Sequence, residues 1–427
     1  MSSIPTTGRR RLALAAAAAG TLTLANGPAA DAAQSGGALP VRVTASRADC
    51  REAPVSVVVP EARMKKLAAL PKGASPTACQ AEPAGDGRVR LTFVVRDLKK
   101  GETRTYHLAA PRPEGTAAAS GGGVEARANG ANVDLLVGGK LITRYDTTTG
   151  PSKPYLYPLN GPNGGAPVTR RWPVEDTVPG ETRDHPHHRG LWFTHGDMNG
   201  ADFWTEGKNH GKTVHTGYDA VRGGPVYAHL RPRADWVTAE GKKIAEDVRD
   251  VRLYPVRGGY LLDFDVAVRA VGGPLRWGDT KEGTFAVRVA DSMRSDAGKD
   301  KKAEGRIENA SGQMQDATWG KPSPWVDYVG PVEGRTVGIA ILDHPSNPRH
   351  PTPWHVRGYG LFAANAFGLH DFDPAKKNDK DAGVLVTPAG EATTFRYRVF
   401  VHDGDTRSAA VPAVWSDYAT PPDVQVL

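Results

Sequence analysis

The stretch Asp184-His185-Pro186-His187-His188-Arg189-Gly190-Leu191-Trp192-Phe193, with His195 and Asp197 just behind it, puts four histidines in eleven residues, beside an arginine, carboxylates and aromatic rings. Imidazole titrates near neutral pH and is the commonest protein metal ligand, so a cluster this dense points to proton transfer or metal binding. In an extended segment His185 and His187 point to one side, and His188 to the other unless the chain turns. Pro186 removes an amide donor and favours a loop or sheet edge over a central strand. A same-side pair suits three uses: two ligands of a metal, an acid/base pair, or hydrogen bonds to a polyol. The plainer alternative is a set of histidines bonded to backbone carbonyls.

Other stretches carry residues that could complete such a site. Tyr155 to Gly165 is a turn-rich loop with aromatic rings and Asn160, and it lacks the Lys-Ser/Thr ending of a phosphate-cradling loop. Lys281 and Glu282 stand just before a strand pattern; they are either a solvated ion pair or, at the mouth of a sheet, a source of acid or base in Glu282. Asp343 to Arg357 contains four prolines, which fix a loop that offers Asn347, Arg349, His350, Trp354, His355 and Arg357. Aromatic rings beside Arg, Asn and His suit a sugar, whose apolar face stacks on a ring while its hydroxyls take fixed hydrogen bonds. Trp192, Trp204 and Trp354 are the candidate rings, with core packing as the alternative for each. No Gly-x-Ser-x-Gly, His-Glu-x-x-His or Cys-x-x-Cys motif occurs, which weakens serine-nucleophile and structural-zinc readings.

The elements that must position these residues read as β-strands. In the 427 residues, 49 Gly and 34 Pro accompany few helix-length amphipathic runs, a composition that favours β structure with many turns. Residues 38–110 predict a small accessory module, immunoglobulin-like, with strands at Val55–Val59 and at Val89, Leu91, Phe93 and Val95, and one short helix between Glu61 and Leu70. Residues 111–123, rich in Pro, Ala, Ser and Gly, form a linker. From Val124 to the end, alternation recurs at Leu262–Val268, Phe285–Val289, Val337–Ile341 and Phe395–Val401. With no βα alternation and no fixed-period repeat, residues 124–427 predict one large antiparallel β-sandwich, so the fold class is all-β. Twelve of the thirteen histidines fall between residues 185 and 402, which places the chemistry in this second domain.

Residues 1–32 read as an export signal. Arg9-Arg10-Arg11 is a basic head resembling a twin-arginine pattern, Leu12 to Ala25 is a short apolar run, and Ala30-Asp31-Ala32 presents small residues for cleavage. No later segment is long and apolar enough to span a bilayer. Removing 1–32 takes away three arginines and one aspartate, so the formal charge falls from +7 to +5. That charge is spread along the chain without a basic aromatic stripe, and nucleic acid is therefore not an expected partner. In an exported protein the only cysteines, Cys50 and Cys79, are expected to form a disulfide stapling the small module.

Several motifs in order, namely Asp184–Phe193, Gly278-Asp279-Thr280-Lys281-Glu282-Gly283, Trp319-Gly320-Lys321 with Trp325-Val326-Asp327-Tyr328, and Asn347-Pro348-Arg349-His350-Pro351 with Trp354-His355-Val356-Arg357, together resemble the bacterial PmoA-type family. That family bears a methane-oxygenase label but is in effect of unknown function. The resemblance covers most of 124–405. It implies a supersandwich similar to galactose-mutarotase and polysaccharide-lyase β domains, an architecture that hosts sugar chemistry; this is analogy of fold.

Three functional readings follow. The first is an exported carbohydrate-active enzyme in which His185, His187 or His188 acts as general base and Glu282 or His355 as the opposing acid, giving epimerisation, anomerisation or β-elimination. Arg189 and Arg357 would hold a carboxylate or hydroxyls, with Trp192, Asn160, Lys281, Asn347, Arg349 and Trp354 completing the binding surface. The second is a metal-dependent enzyme with one divalent ion on His185, His187 and a distant His350 or His355. The third is a glycan-binding protein using the same cleft without catalysis.

Overall fold

The computed structural model describes residues 37–71, 74–109, 123–296 and 304–427. The expected signal and all of the expected linker except Gly123 lie outside these residues.

Two antiparallel eight-stranded sheets dominate the chain, as the alternating patterns predict. The first runs, strand by strand, Trp354–Val356, Leu361–Ala364, Gly283–Arg288, Leu191–His195, Tyr155–Leu156, Lys140–Asp146, Asn132–Val137 and Val124–Asn129. The second runs Lys212–Arg222, Ala228–Val237, Lys243–Val256, Gly259–Ala270, Ala392–Asp403, Arg335–Asp343, Trp325–Val332 and Arg306–Asn309. The main core lies between them. Leu191, Phe193, Phe285 and Val287 of the first sheet meet Leu262, Phe264, Ile339 and Phe395 of the second. Each such side chain contributes about 1.5–3 kcal/mol on removal from water. Strand Gly259–Ala270 shows the expected alternation, with Leu262, Phe264, Val266 and Val268 buried between partly exposed Asp263, Asp265 and Ala267.

Strand Gly283–Arg288 departs from that pattern, because every one of its residues is buried. Its outward face is therefore covered as well. A second, smaller cluster of Tyr155, Tyr157, Trp192, Trp204, Ala286, Leu361 and Ala363 lies there, under the connection between residues 157 and 190.

The N-terminal region is a small pair of sheets. Strand Cys50–Pro60 pairs with Arg88–Leu98, which pairs with Gln80–Gly85; the facing sheet joins Gly37–Thr44 to Thr103–Ala109 and Ala68–Ala69. Its last strand comes from the far end of the chain, where Asp423–Val426 pairs with Gly37–Thr44 and covers an otherwise open edge. The helix expected over Glu61–Leu70 is only Glu61–Met64, a single turn with no fully buried residue, and so short a helix gains little from its own hydrogen bonds. A helix not anticipated, Val411–Ala419, opens with Pro in its first turn and buries Val411 and Val414.

The expected disulfide is not formed, and Cys50 and Cys79 are both free and buried. Cys50 lies opposite Leu98, while Gln80, beside Cys79, lies opposite Thr92 on the same central strand. The two are thus about five residues, or ~17 Å, apart along the strand, far beyond the ~7 Å that a bridge spans. Burial pushes both thiols up to about 12, so they stay protonated and inert. Among the described residues no helix is long and apolar enough to cross a membrane.

Candidate functional site

The register of the first sheet sets the base of the site. Trp192 pairs with Ala286, Ala286 with Ala363, and Ala363 with His355, so these four side chains form one row on the outward face. One pair along, Thr194 lies opposite Thr284. The two alanines between Trp192 and His355 leave room for a loop to settle on the sheet, and the loop that does so carries the histidines. Gly190 ends that loop at φ +52°, where a Cβ would strike the Leu156 carbonyl oxygen, so only glycine fits this close approach.

The imidazoles of 185, 187 and 188 lie together. His185 stacks between Tyr359 (5.2 Å between ring centroids) and His188 (4.8 Å), and His188 in turn stacks on Trp192 (5.3 Å). His187 stands edge-on to both histidines, 5.8 and 4.5 Å away. The chain does turn here: His185 has φ +46°, the left-handed conformation that is costly for a residue with a Cβ. His188 is buried, His187 half-buried, and the His185 side chain keeps 41% exposure. Among the described residues no peptide oxygen ties off any of the three rings.

Asp184 orients the cluster. Its Oδ2 lies 3.3 Å from His185 Nδ1, and its Oδ1 accepts from Arg288 Nη2 at 2.8 Å and from Arg170 Nη1. Burial works to raise the Asp184 carboxyl, but His185 and the two guanidiniums outweigh it and hold the group below the ordinary carboxylate range. Arg288 Nη1 also donates to His188 Nδ1 at 3.3 Å, and its guanidinium lies 4.8 Å from the centre of the Tyr359 ring. Burial, reinforced by the charge of Arg170, lowers Arg288 to about 10.

A second ionic group braces the other flank. Glu206 accepts from Arg189 Nε at 3.1 Å and Nη2 at 3.1 Å, and from Lys153 Nζ at 3.2 Å, while Lys153 also donates to the Trp204 carbonyl. Burial lowers the Lys153 ammonium to about 8 against the attraction of Glu206. Burial, then the charges of Lys153 and His185, lower His187 to about 4, and burial takes His188 well below the usual value. Both imidazoles are therefore neutral at pH 7, the form that accepts a proton or donates a single N–H.

Glu282, just before strand Gly283–Arg288, sits on the rim. Burial pushes its carboxyl up, opposed by the charges of Lys281 and His185; 37% of the side chain remains open to solvent, which limits that push. Lys281 Nζ is 4.0 Å from Glu282 Oε1. His355 ends the alanine row, but its Nδ1 is bound to the Lys281 carbonyl at 2.8 Å, and burial lowers it to about 4. Arg357 is exposed on the rim, 6.0 Å from the Tyr359 ring.

Other sequence candidates lie elsewhere. Arg189 is spent on Glu206 and does not face the rim as a free cation. Asn160 donates to the Leu141 carbonyl, and its own carbonyl accepts from Tyr260 on the core side. Asn347 donates to Asp343 and to the Arg396 carbonyl, Arg349 donates to the carbonyls of Ala366, Gly383 and Val384, and His350 pairs with Asp343 at 2.7 Å. The proline-rich loop thus uses these three to hold itself together. Trp354 points into the core, with Nε1 donating to the Ser323 carbonyl. The metal set expected from His185, His187 and His350 or His355 does not assemble, and among the described residues no group of three His, Cys, Asp or Glu converges to hold an ion. A cavity of about 110 Å³ lies apart from the histidines, lined by Gly161, Pro162 and Val332 among others.

Sequence reasoning missed Arg170, Arg288, Lys153, Glu206 and Tyr359. Arg288 had a signal: in a strand whose core residues are Phe285 and Val287, the alternate positions read Thr284, Ala286, Arg288, and a charge on a covered face needs a partner. Lys153 and Glu206 had none, since they are 53 residues apart.

A model of a family of unknown function, DUF6807, matches residues 132–416, a span that includes every site residue described above. The match meets the expectation at the level of a family of unknown function and carries no link to a methane oxygenase. No curated protein matches the sequence. Among solved structures, one similar to this chain is a protein in glycosyl hydrolase family 38 from Enterococcus faecalis, at 12% identity and TM-score 0.39, covering 91% of this chain and 47% of that one. Another is a putative aldose 1-epimerase from Escherichia coli K12, at 10% identity and TM-score 0.30, covering 66% and 99%. A third is 4-alpha-glucanotransferase from Thermococcus litoralis, at 8% identity and TM-score 0.24, covering 66% and 39%. This chain spans about half the length of the glycosyl hydrolase and less of the glucanotransferase. Likenesses this distant assign no activity.

Proposed function

The chain belongs to the DUF6807 family of unknown function, and on the geometry of its histidine site we propose that it is a carbohydrate-active enzyme that moves a proton on a sugar. The observation that carries this reading is the Asp184–His185 pair, with the raised Glu282 carboxyl within range of the His185 charge. A base needs a ring held by a third group with its other nitrogen free, and Asp184 holds Nδ1 and leaves Nε2 open. An acid needs a carboxyl that keeps its proton, and burial moves Glu282 in that direction. His185 takes a proton from a sugar carbon or hydroxyl, and Glu282 delivers one at the opposing position. The outcome is epimerisation, anomerisation or β-elimination. Tyr359 supplies the aromatic surface, and Arg357 contacts substrate from the rim. Export of the mature chain, read from residues 1–32, is part of the same proposal.

The test is incubation of the full chain with a panel of aldoses and uronates in D2O, followed by NMR for loss of a carbon-bound proton, anomer exchange or an unsaturated product. Replacing His185 with Ala lowers turnover about 10²–10⁴-fold with the melting temperature little changed. Retention of a sugar by the wild-type protein with no new product would make this a glycan-binding protein instead.

A further inference from the structure

Beneath the histidine rim lie four buried N–H donors with no acceptor among the described residues: His188 Nε2, Trp192 Nε1, Trp204 Nε1 and Arg288 Nε. Their residues are at most 1% exposed. Their side chains are neighbours: the centroid of the His188 ring is 5.3 Å from that of Trp192 and 6.0 Å from that of Trp204, the two indole centroids are 5.2 Å apart, and Arg288 Nη1 is 3.3 Å from His188 Nδ1. A guanidinium only donates, so His188 Nδ1 accepts, and the neutral ring carries its proton on Nε2. Indole N–H also only donates. Each buried donor left unpaired costs about 1–3 kcal/mol, and four such donors on neighbouring side chains call for an acceptor that the described residues do not provide. The carboxylates that brace the site are already engaged: Asp184 by Arg170 and Arg288, Glu206 by Lys153 and Arg189, Asp202 by the Trp204 and Thr205 amides, and Asp291 by Thr182. Thr194 and Thr284 beside this group have unpaired hydroxyls, which can give or take a hydrogen bond.

We propose that this donor group is a subsite for the carboxylate of a sugar acid, with Thr194 and Thr284 meeting neighbouring hydroxyls. A sugar hydroxyl both donates and accepts, so against the four N–H groups its own proton finds no acceptor, and only the two threonine hydroxyls could take it. A carboxylate accepts only, and matches the lining. The group enters past His187, whose ring no hydrogen bond from the described residues holds in place. This assignment rests on the proposed sugar chemistry and narrows its substrate to uronic or aldonic acids.

The experiment is titration calorimetry of the full chain with D-glucuronate, D-glucose 6-phosphate and D-glucose. Glucuronate is expected to bind at least tenfold more tightly than the other two. The Trp192→Phe variant, which keeps a ring and deletes the N–H, narrows the gap to glucose about tenfold; Trp204→Phe serves if the first variant does not fold. Equal binding of glucuronate and glucose, binding of neither, tighter binding of the phosphate, or an unchanged gap in a folded variant overturns the subsite. Glucuronate bound but never turned over leaves the subsite standing and sinks the acid/base reading. Turnover of neutral sugars with the same kcat/KM as uronates does the reverse.

Discussion

At the residue scale, the site depends on which imidazoles are free. His195 and His355 spend a nitrogen on the carbonyls of Gly278 and Lys281, while His185 is held by a carboxylate and His187 by ring contacts. Replacing Glu282 with Gln should remove the alkaline limb of the pH–rate profile, because the raised carboxyl keeps its proton to higher pH than an ordinary glutamate. A profile unchanged in E282Q would assign the acid elsewhere. The buried imidazoles also set acid stability. His187, His195 and His355 stand at about 4 in the fold and near 6.5 once unfolded. Between those values the unfolded chain binds more protons, so stability falls as pH drops from about 6.5 to about 4. Thermal melts across that range should show the slope, and His187→Gln should flatten it.

At the element scale, the alternation of one strand does two jobs. Phe285 and Val287 build the core, while Thr284, Ala286 and Arg288 build the base of the site. Replacing Ala286 with Leu should lift the histidine loop from the sheet. Overpacking of this kind costs about 1–3 kcal/mol, and turnover should fall with it; a thermal melt and an assay of the same sample check both. The Lys153–Glu206–Arg189 group clamps three segments that the first sheet alone does not join. Glu206→Gln leaves the buried Lys153 and the partly buried Arg189 without this carboxylate, a loss of about 3–5 kcal/mol, which denaturant titration would read.

At the scale of the whole molecule, the small N-terminal sheets are bonded to the large sandwich through buried polar contacts. His229 lies 2.7 Å from Glu82 and 3.2 Å from Asp250, and the Gln80 side chain accepts from the amides of Val226 and Tyr227. Burial opposes the His229 charge, but the two carboxylates outweigh it and raise the ring above 6.5. Its stabilising contribution is therefore complete below 6.5 and lost as pH rises through the folded value, the opposite sign to His187. His229→Gln should cost more stability at pH 6 than at pH 9 in paired melts. Deleting Asp423–Leu427 should reopen the edge of strand Gly37–Thr44 and lower the melting temperature of the small sheets.

The sequence by itself determined the all-β class and the strands with period two, and it pointed to the histidine loop, with Glu282 and Trp192, as the candidate site. These are local signals: side-chain alternation and residue density are written in adjacent positions. Only the tertiary structure decided that Asn347, Arg349 and His350 hold a loop together, that Trp354 belongs to the core, that Cys50 and Cys79 are out of reach of each other, and that Arg170, Arg288, Lys153 and Glu206 complete the site. Those outcomes depend on strand register and on pairs far apart in the chain. One residue of register decides which face a side chain takes, and no spacing within a segment records which distant charge will neutralise it.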